Sequence, residues 1–121
     1  MNEIKEYTEK VFEDIKHIDD EGNEYWYARE LMHALEYKRW DKLNNVINNA
    51  KIACEKSNNL INNHFPQVGK LIETGKTAKR KILDYKLSRY ACYLIVQNSN
   101  PRKESVALAK TYFAIQTRNL V

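Results

Sequence analysis

Three groups of cations carry the side chains with most chemistry to offer. Lys38, Arg39 and Lys42 fall together at the start of one apolar-periodic segment. Lys76, Lys79, Arg80 and Lys81 crowd a second stretch, and Arg102 and Lys103 follow Pro101. Ammonium and guanidinium groups at this density can neutralise phosphates, which points to contact with a polyanion such as DNA, single- or double-stranded; a solvated face carrying ordinary solubility charge is the competing reading. Where such cations open a helix, the free amides and the dipole of its first turn already favour an anion, and the side chain adds a second contact. Affinity built this way is mostly independent of base sequence and falls steeply with salt. Asn44, Asn45, Asn48 and Asn49 would suit adenine edges if their helix entered a major groove. An asparagine-rich solvent face is the plainer reading of them.

Other chemistries lack their residues. Gly69-Lys-Leu-Ile-Glu-Thr-Gly75-Lys76-Thr77 has five residues between its glycines, where a P-loop needs four to close its amides around phosphates. It reads instead as a helix C-cap glycine followed by a charged loop. His17, His33 and His64 are scattered, with no cysteine at ligand spacing, so no metal site is expected. There is no G-x-S-x-G turn. Asp19, Asp20, Glu21 and Glu24 straddle a turn and read as a solvated acidic tip; the calcium-loop pattern is missing. No catalytic residue and no cofactor is expected.

The elements that must position the cations follow from composition and period. At 121 residues, 30% charged and 43% hydrophobic, the chain fits one domain with a core of its own. Its formal charge of +4 conceals a division. Residues 1–36 hold 4 basic and 11 acidic side chains, a net of −7, and residues 37–121 hold 16 and 5, a net of +11. The start, Met-Asn-Glu-Ile-Lys-Glu, lacks the apolar stretch of a signal peptide, and no apolar run reaches membrane-spanning length. Cys54 and Cys92 are too few for a disulfide framework and sit in apolar helical surroundings. A reducing, cytoplasmic setting is expected.

An amphipathic helix is expected over residues 2–14, from Ile4, Val11 and Ile15. A β-hairpin turns at Asp19–Asn23, where Gly22 and Asn23 tolerate positive φ and Tyr25, Trp26 and Tyr27 suit a strand. Leu31, Met32 and Leu35 mark a short helix. Trp40, Leu43, Ile47, Ala50 and Cys54 mark a longer one, separated from it by a turn of two or three residues in helix-turn-helix outline. Asn-rich residues 57–66 suggest a loop or single turn, and Val68, Leu71 and Ile72 another helical turn or two. A strand is expected near 81–86, able to pair with the first hairpin. Ser88 then caps an all-round apolar helix over 89–98, the central buried element, and Pro101 starts a last helix. The fold class is α+β, mainly helical, with a two- or three-stranded antiparallel sheet.

Several runs resemble a known family. Residues 25–37 (Tyr-Trp-Tyr-Ala-Arg-Glu-Leu-Met-His-Ala-Leu-Glu-Tyr), 50–57 and 63–65 are similar to bacterial DNA-damage-inducible protein D. More specific are Leu87-Ser-Arg-Tyr-Ala-Cys-Tyr-Leu-Ile-Val-Gln-Asn98 and Thr111-Tyr-Phe-Ala-Ile-Gln-Thr-Arg118, and the resemblance spans roughly residues 12–118. More distantly, the order of hairpin, helices and strand looks like the Bro-N domain of phage antirepressors and baculovirus proteins, which is associated with DNA binding. The resemblance implies an SOS-linked, non-catalytic role on DNA or on recombinase filaments. It also implies a chain about half the length of its relatives, an N-terminal domain of something longer. Two expectations follow: DNA binding through the nine cations named above, or a protein-interaction module that docks a recombinase through Glu13, Asp14, Asp19, Asp20, Glu21 and Glu24.

Overall fold

The computed structural model describes residues 10–75 and 78–119, with side chains up to Ala114. Residues 10–14 are helical (α1), and the rest of the helix expected over 2–14 lies outside the described residues. The chain then enters β1 (Lys16–Ile18), turns, and returns as β2 (Glu24–Tyr27). Asp19 fixes the turn: its Oδ1 accepts from the Glu21 and Asn23 amides at 2.9 and 2.8 Å, while Gly22 takes φ +85°. Without a Cβ, glycine adopts that angle at little cost.

Helix α2 (Ala28–Ala34) follows β2 directly. It ends where Glu36 swings to φ 62° and the Tyr37 amide reaches back to Met32 O at 2.9 Å. The link to α3 (Trp40–Lys56) is residues 35–39, longer than the expected two or three. The 3-4-3-4 stripe of α3 is buried at Leu43, Ile47, Ala50 and Cys54. A single turn, α4 (Ile61–His64), fills the Asn-rich stretch.

Residues 67–73 depart from expectation. They form a strand, β3 (Gln67–Glu73), paired residue for residue with β4 (Lys79–Leu87). Val68, Leu71 and Ile72 match helical spacing, yet Leu71 is 66% exposed while Val68 and Ile72 share one strand face. Pro66 lacks the amide that would continue a helix, Gly69 disfavours helix, and seven pairs with β4 supply the backbone partners. Gly75 therefore follows a strand in a hairpin turn and caps no helix, and β4 begins earlier than the expected 81. The sheet consequently has four strands, all antiparallel, in the order β1-β2-β4-β3.

Ser88 caps α5 (Arg89–Gln97), its hydroxyl accepting from the Ala91 amide at 3.0 Å. Ala91, Cys92, Ile95 and Val96 are fully buried, so α5 is the centre of the core as its all-round apolar sequence requires. Each of its large aliphatics contributes about 1.5–3 kcal/mol of burial. The last helix, α6 (Glu104–Asn119), starts three residues after Pro101, which sits in a turn. That turn is closed by Asn100, whose Oδ1 accepts from the Arg102 amide at 3.0 Å.

The pleat gives the sheet two unlike faces. Trp26, Tyr85 and Leu87 point to the helices and are buried. Trp26 donates its Nε1 to Phe12 O at 2.9 Å and packs edge-on against Phe113 at 5.2 Å. Tyr25, Tyr27 and Lys86 point the other way and stay half-exposed.

Candidate nucleic-acid interface

The predicted cations fall into two groups. Lys79, Arg80 and Lys81 open β4 and are exposed, and Lys76 lies outside the described residues. β3 and this end of β4 form a two-stranded arm, because β2 reaches β4 only at Trp26–Leu87 and Tyr27–Lys86. Alternation sends Lys79 and Lys81 to one face of the arm, and Arg80 to the other with Lys70 and Ile72. Across the described part of the arm, residues 67–75 and 78–83, Glu73 is the sole carboxylate, standing opposite Lys79. Lys81 lies across Gly69: a Cβ there would meet Lys81 Cε at 2.2 Å.

The second group gathers where two turns meet. Lys38, Arg39 and Lys42 surround the start of α3 and are exposed, as is Arg102. Arg39 forks onto Asp41 at 3.0 and 2.7 Å, an exposed pair worth little. Lys103 is half-buried; its Nζ donates to Glu36 O at 3.2 Å and stands 4.6 Å from the Tyr37 ring. Tyr37 in turn donates to Ser99 Oγ at 3.0 Å. The α2–α3 and α5–α6 turns thereby meet through Lys103, Tyr37 and Ser99, with Arg102 next to Lys103 and Lys38 next to Tyr37 in the chain.

A stack that sequence reasoning missed joins the two groups. Arg29 sits 4.0 Å over the Trp40 ring, Trp40 stacks on Tyr85 at 6.5 Å, and Lys51 donates to the Tyr85 hydroxyl at 2.8 Å. Trp40 and Lys51 are eleven residues apart, close to three helical turns, hence on one face of α3. Arg29 also donates its Nε to Leu83 O at 2.9 Å, and its amide to Asp84 Oδ1 at 3.0 Å, closing the edge of β4 that β2 leaves open. Burial pulls the Arg29 guanidinium below its ordinary value, opposed by Asp84. The start of α3 is thus anchored against the root of the arm. The available signal was Arg29 and Trp40 as conspicuous residues; their partners were not foreseeable.

The acidic segment is largely spoken for. Glu24 binds Arg89 through two bonds, at 2.5 and 2.9 Å, and Arg89 is buried at 4% exposure with its guanidinium 4.9 Å from the Trp26 ring and 5.0 Å from the Tyr112 ring. Burial depresses Arg89, but the hydrogen bonds it donates to Glu24 and makes with Tyr112 outweigh it and its affinity for the proton rises. Glu13 accepts from the Tyr112 hydroxyl at 2.6 Å and meets Lys16 at 2.9 Å, which holds its carboxyl below the usual range. With Asp19 used in its turn, Asp14, Asp20 and Glu21 remain of the proposed docking set.

A cleft of about 630 Å³ lies between the β1–β2 turn and the start of α5, lined by Tyr25, His64, Lys86, Ser88 and Tyr90 among others. His64 Nδ1 and Ser88 Oγ are 2.7 Å apart in a hydrogen bond, the Ser88 oxygen also accepts from the Ala91 amide, and burial lowers the pKa of His64. Among the described residues no three His, Cys, Asp or Glu side chains converge to hold a metal, and no helix is long and apolar enough to cross a membrane. Cys54 and Cys92 are free and buried, and burial raises both thiols. In the stretch Gly69–Gly75, no strand-to-helix loop exists to cradle a phosphate.

No solved structure matches the chain. It is 47% identical over 107 residues, 88% of its length, to DNA damage-inducible protein D of Escherichia coli strain K12, and covers 39% of that relative. The chain therefore spans well under half the length of the curated relative it matches. A family profile described as "BRO family, N-terminal domain" matches residues 14–114, from α1 through α6. That match takes in every described strand and all the helices around the cation groups, and the chain belongs to the BRO family by its N-terminal domain.

Proposed function

We propose that this domain is a non-catalytic DNA-binding module of a cytoplasmic, SOS-linked DNA-damage response. The observation that carries the reading is the arm: Lys70, Lys79, Arg80 and Lys81 stand exposed on a two-stranded ribbon with Glu73 as its sole carboxylate among the described residues. A ribbon of this kind fits along a nucleic-acid backbone, and the cations at the start of α3 and at Arg102 extend the phosphate contacts beyond it. The name of the relative, DNA damage-inducible protein D, supports the damage-response setting. Contact is mainly with phosphates, so base-sequence preference is weak.

The test is a labelled-DNA titration at several salt concentrations. Each duplex phosphate contact contributes about 0.9 to the slope of log affinity against log salt. Charge reversal of Lys79, Arg80 and Lys81 together is expected to lower that slope by about two or more. A slope that the triple variant leaves unchanged, or no binding even at low salt, would refute the reading.

A further inference from the structure

We infer that the face of the sheet turned away from the described helices is a base-stacking track that selects single-stranded DNA, with Tyr25 and Tyr27 as its platforms. This rests on the DNA-binding reading above and adds the form of DNA and the residues that discriminate it. The face opposite Trp26 and Leu87 carries His17, Tyr25 and Tyr27, all half-exposed. Their rings form one cluster: His17 to Tyr25 at 5.3 Å, His17 to Tyr27 at 4.9 Å, and Tyr25 to Tyr27 at 5.4 Å. A solvent-facing side of an antiparallel sheet is ordinarily polar. Three grouped aromatics there contribute nothing to the core formed on the opposite face.

Charge on this face matches a nucleic-acid strand. Lys86 Nζ stands 5.1 Å from the Tyr25 ring, and the register puts Arg80 and Lys70 on the same side further along the arm. The two neighbouring carboxylates are engaged internally. Asp84 accepts from the Arg29 and Tyr85 amides at 3.0 and 2.8 Å, and Glu30 meets His17 Nε2 at 2.6 Å. Between Tyr27 and Lys70 the face dips into a hollow of about 250 Å³, and at its other end Tyr25 and Lys86 pass into the cleft beside Tyr90. Aromatic platforms flanked by cations along a line accept successive bases and their phosphates. A duplex offers no such faces, because its bases are already stacked on each other; a single strand offers every one.

The experiment compares a labelled oligodeoxythymidine with a duplex of equal length, by anisotropy across a salt series, using the whole chain. The expected result is tighter binding of the single strand. Tyr25→Ala and Tyr27→Ala should each weaken single-strand binding by about fivefold to a hundredfold. They should leave duplex affinity and the salt slope unchanged, and Tyr25→Phe and Tyr27→Phe should behave as the parent. Folded alanine variants that bind the single strand like the parent overturn the inference. Should those variants unfold, photocrosslinking the parent to a bromodeoxyuridine oligonucleotide decides: adducts on the peptide holding Tyr25 and Tyr27 support the track, and adducts only elsewhere overturn it. Duplex binding at least as tight as single-strand binding, and indifferent to the tyrosines, also overturns it while leaving the DNA-binding reading intact. Failure to bind either form sinks both.

Discussion

Arg89 is the side chain whose role composition conceals most. It counts toward the basic excess, yet it is buried, forked onto Glu24 and surrounded by Trp26, Tyr112 and Phe113. Removing one member of a buried ion pair leaves an uncompensated charge, so Arg89→Ala should cost about 3–5 kcal/mol in urea unfolding. The salt slope of DNA binding should not move, since this cation meets no phosphate. His64 offers a second test at the same scale. Burial depresses its pKa below 6.5, so the unfolded chain takes up the proton first as pH falls. The stability it contributes is complete above about pH 6.5 and is lost as pH drops through its lowered folded value. Unfolding midpoints measured between neutrality and about pH 5 should fall for the parent, and fall less for His64→Gln. Neither residue could be sorted into interior or surface from sequence. A charge declares its type in the chain, but its burial depends on a partner 65 positions away.

Among the elements, α3 and α5 were legible because each carries its instruction locally: a four-residue apolar stripe in one, a serine cap and an all-apolar run in the other. β3 was not. Its seven residues become a strand through pairing with β4, and the spacing of Val68, Leu71 and Ile72 outweighed the one local sign against a helix, Gly69. Four strands stand where two or three were expected for this reason. The arm also yields a prediction of its own. Gly69 has no positive φ to protect, and the three atoms nearest to a Cβ there all belong to the flexible Lys81 side chain. Gly69→Ala should therefore change the melting stability by no more than about 0.5 kcal/mol, while displacing Lys81 and altering DNA affinity. Loss of the Ser88 cap is different in kind. Ser88→Ala strands the Ala91 amide and His64 together, and about 1 kcal/mol of stability should go with it in thermal or urea unfolding.

For the molecule as a whole, the division of charge between the first 36 residues and the rest turned out to be two different things. On the acidic side, Glu13, Asp19 and Glu24 hold the fold together, and Asp14, Asp20 and Glu21 are left without such a role. On the basic side, the cations at Lys79–Lys81, Lys38, Lys42 and Arg102 remain exposed. The candidate site was readable as a list of cations and unreadable as a surface, because the Arg29–Trp40–Tyr85 stack that joins its two groups spans 56 residues of chain. Reversing Lys79, Arg80 and Lys81 changes the net charge from +4 by −6 to −2. That variant should lose affinity for DNA yet elute from gel filtration like the parent, since none of the three is buried.

The narrow junction between β2 and β4 has a further consequence. Two strand pairs and the Arg29 bonds to Leu83 and Asp84 join the ribbon to the body, and five pairs, from Gly69–Leu83 to Glu73–Lys79, lie beyond them. Such a geometry allows the outer ribbon to open apart from the core. Amide deuterium exchange should separate the two: slow in α5 and at the Trp26–Leu87 pairing, and faster together along the ribbon beyond Leu83, as one cooperative unit that opens without unfolding the core. A ligand lying across both sides of the junction would slow exchange in the ribbon most, and the extent of that slowing would mark how far along it the contact runs.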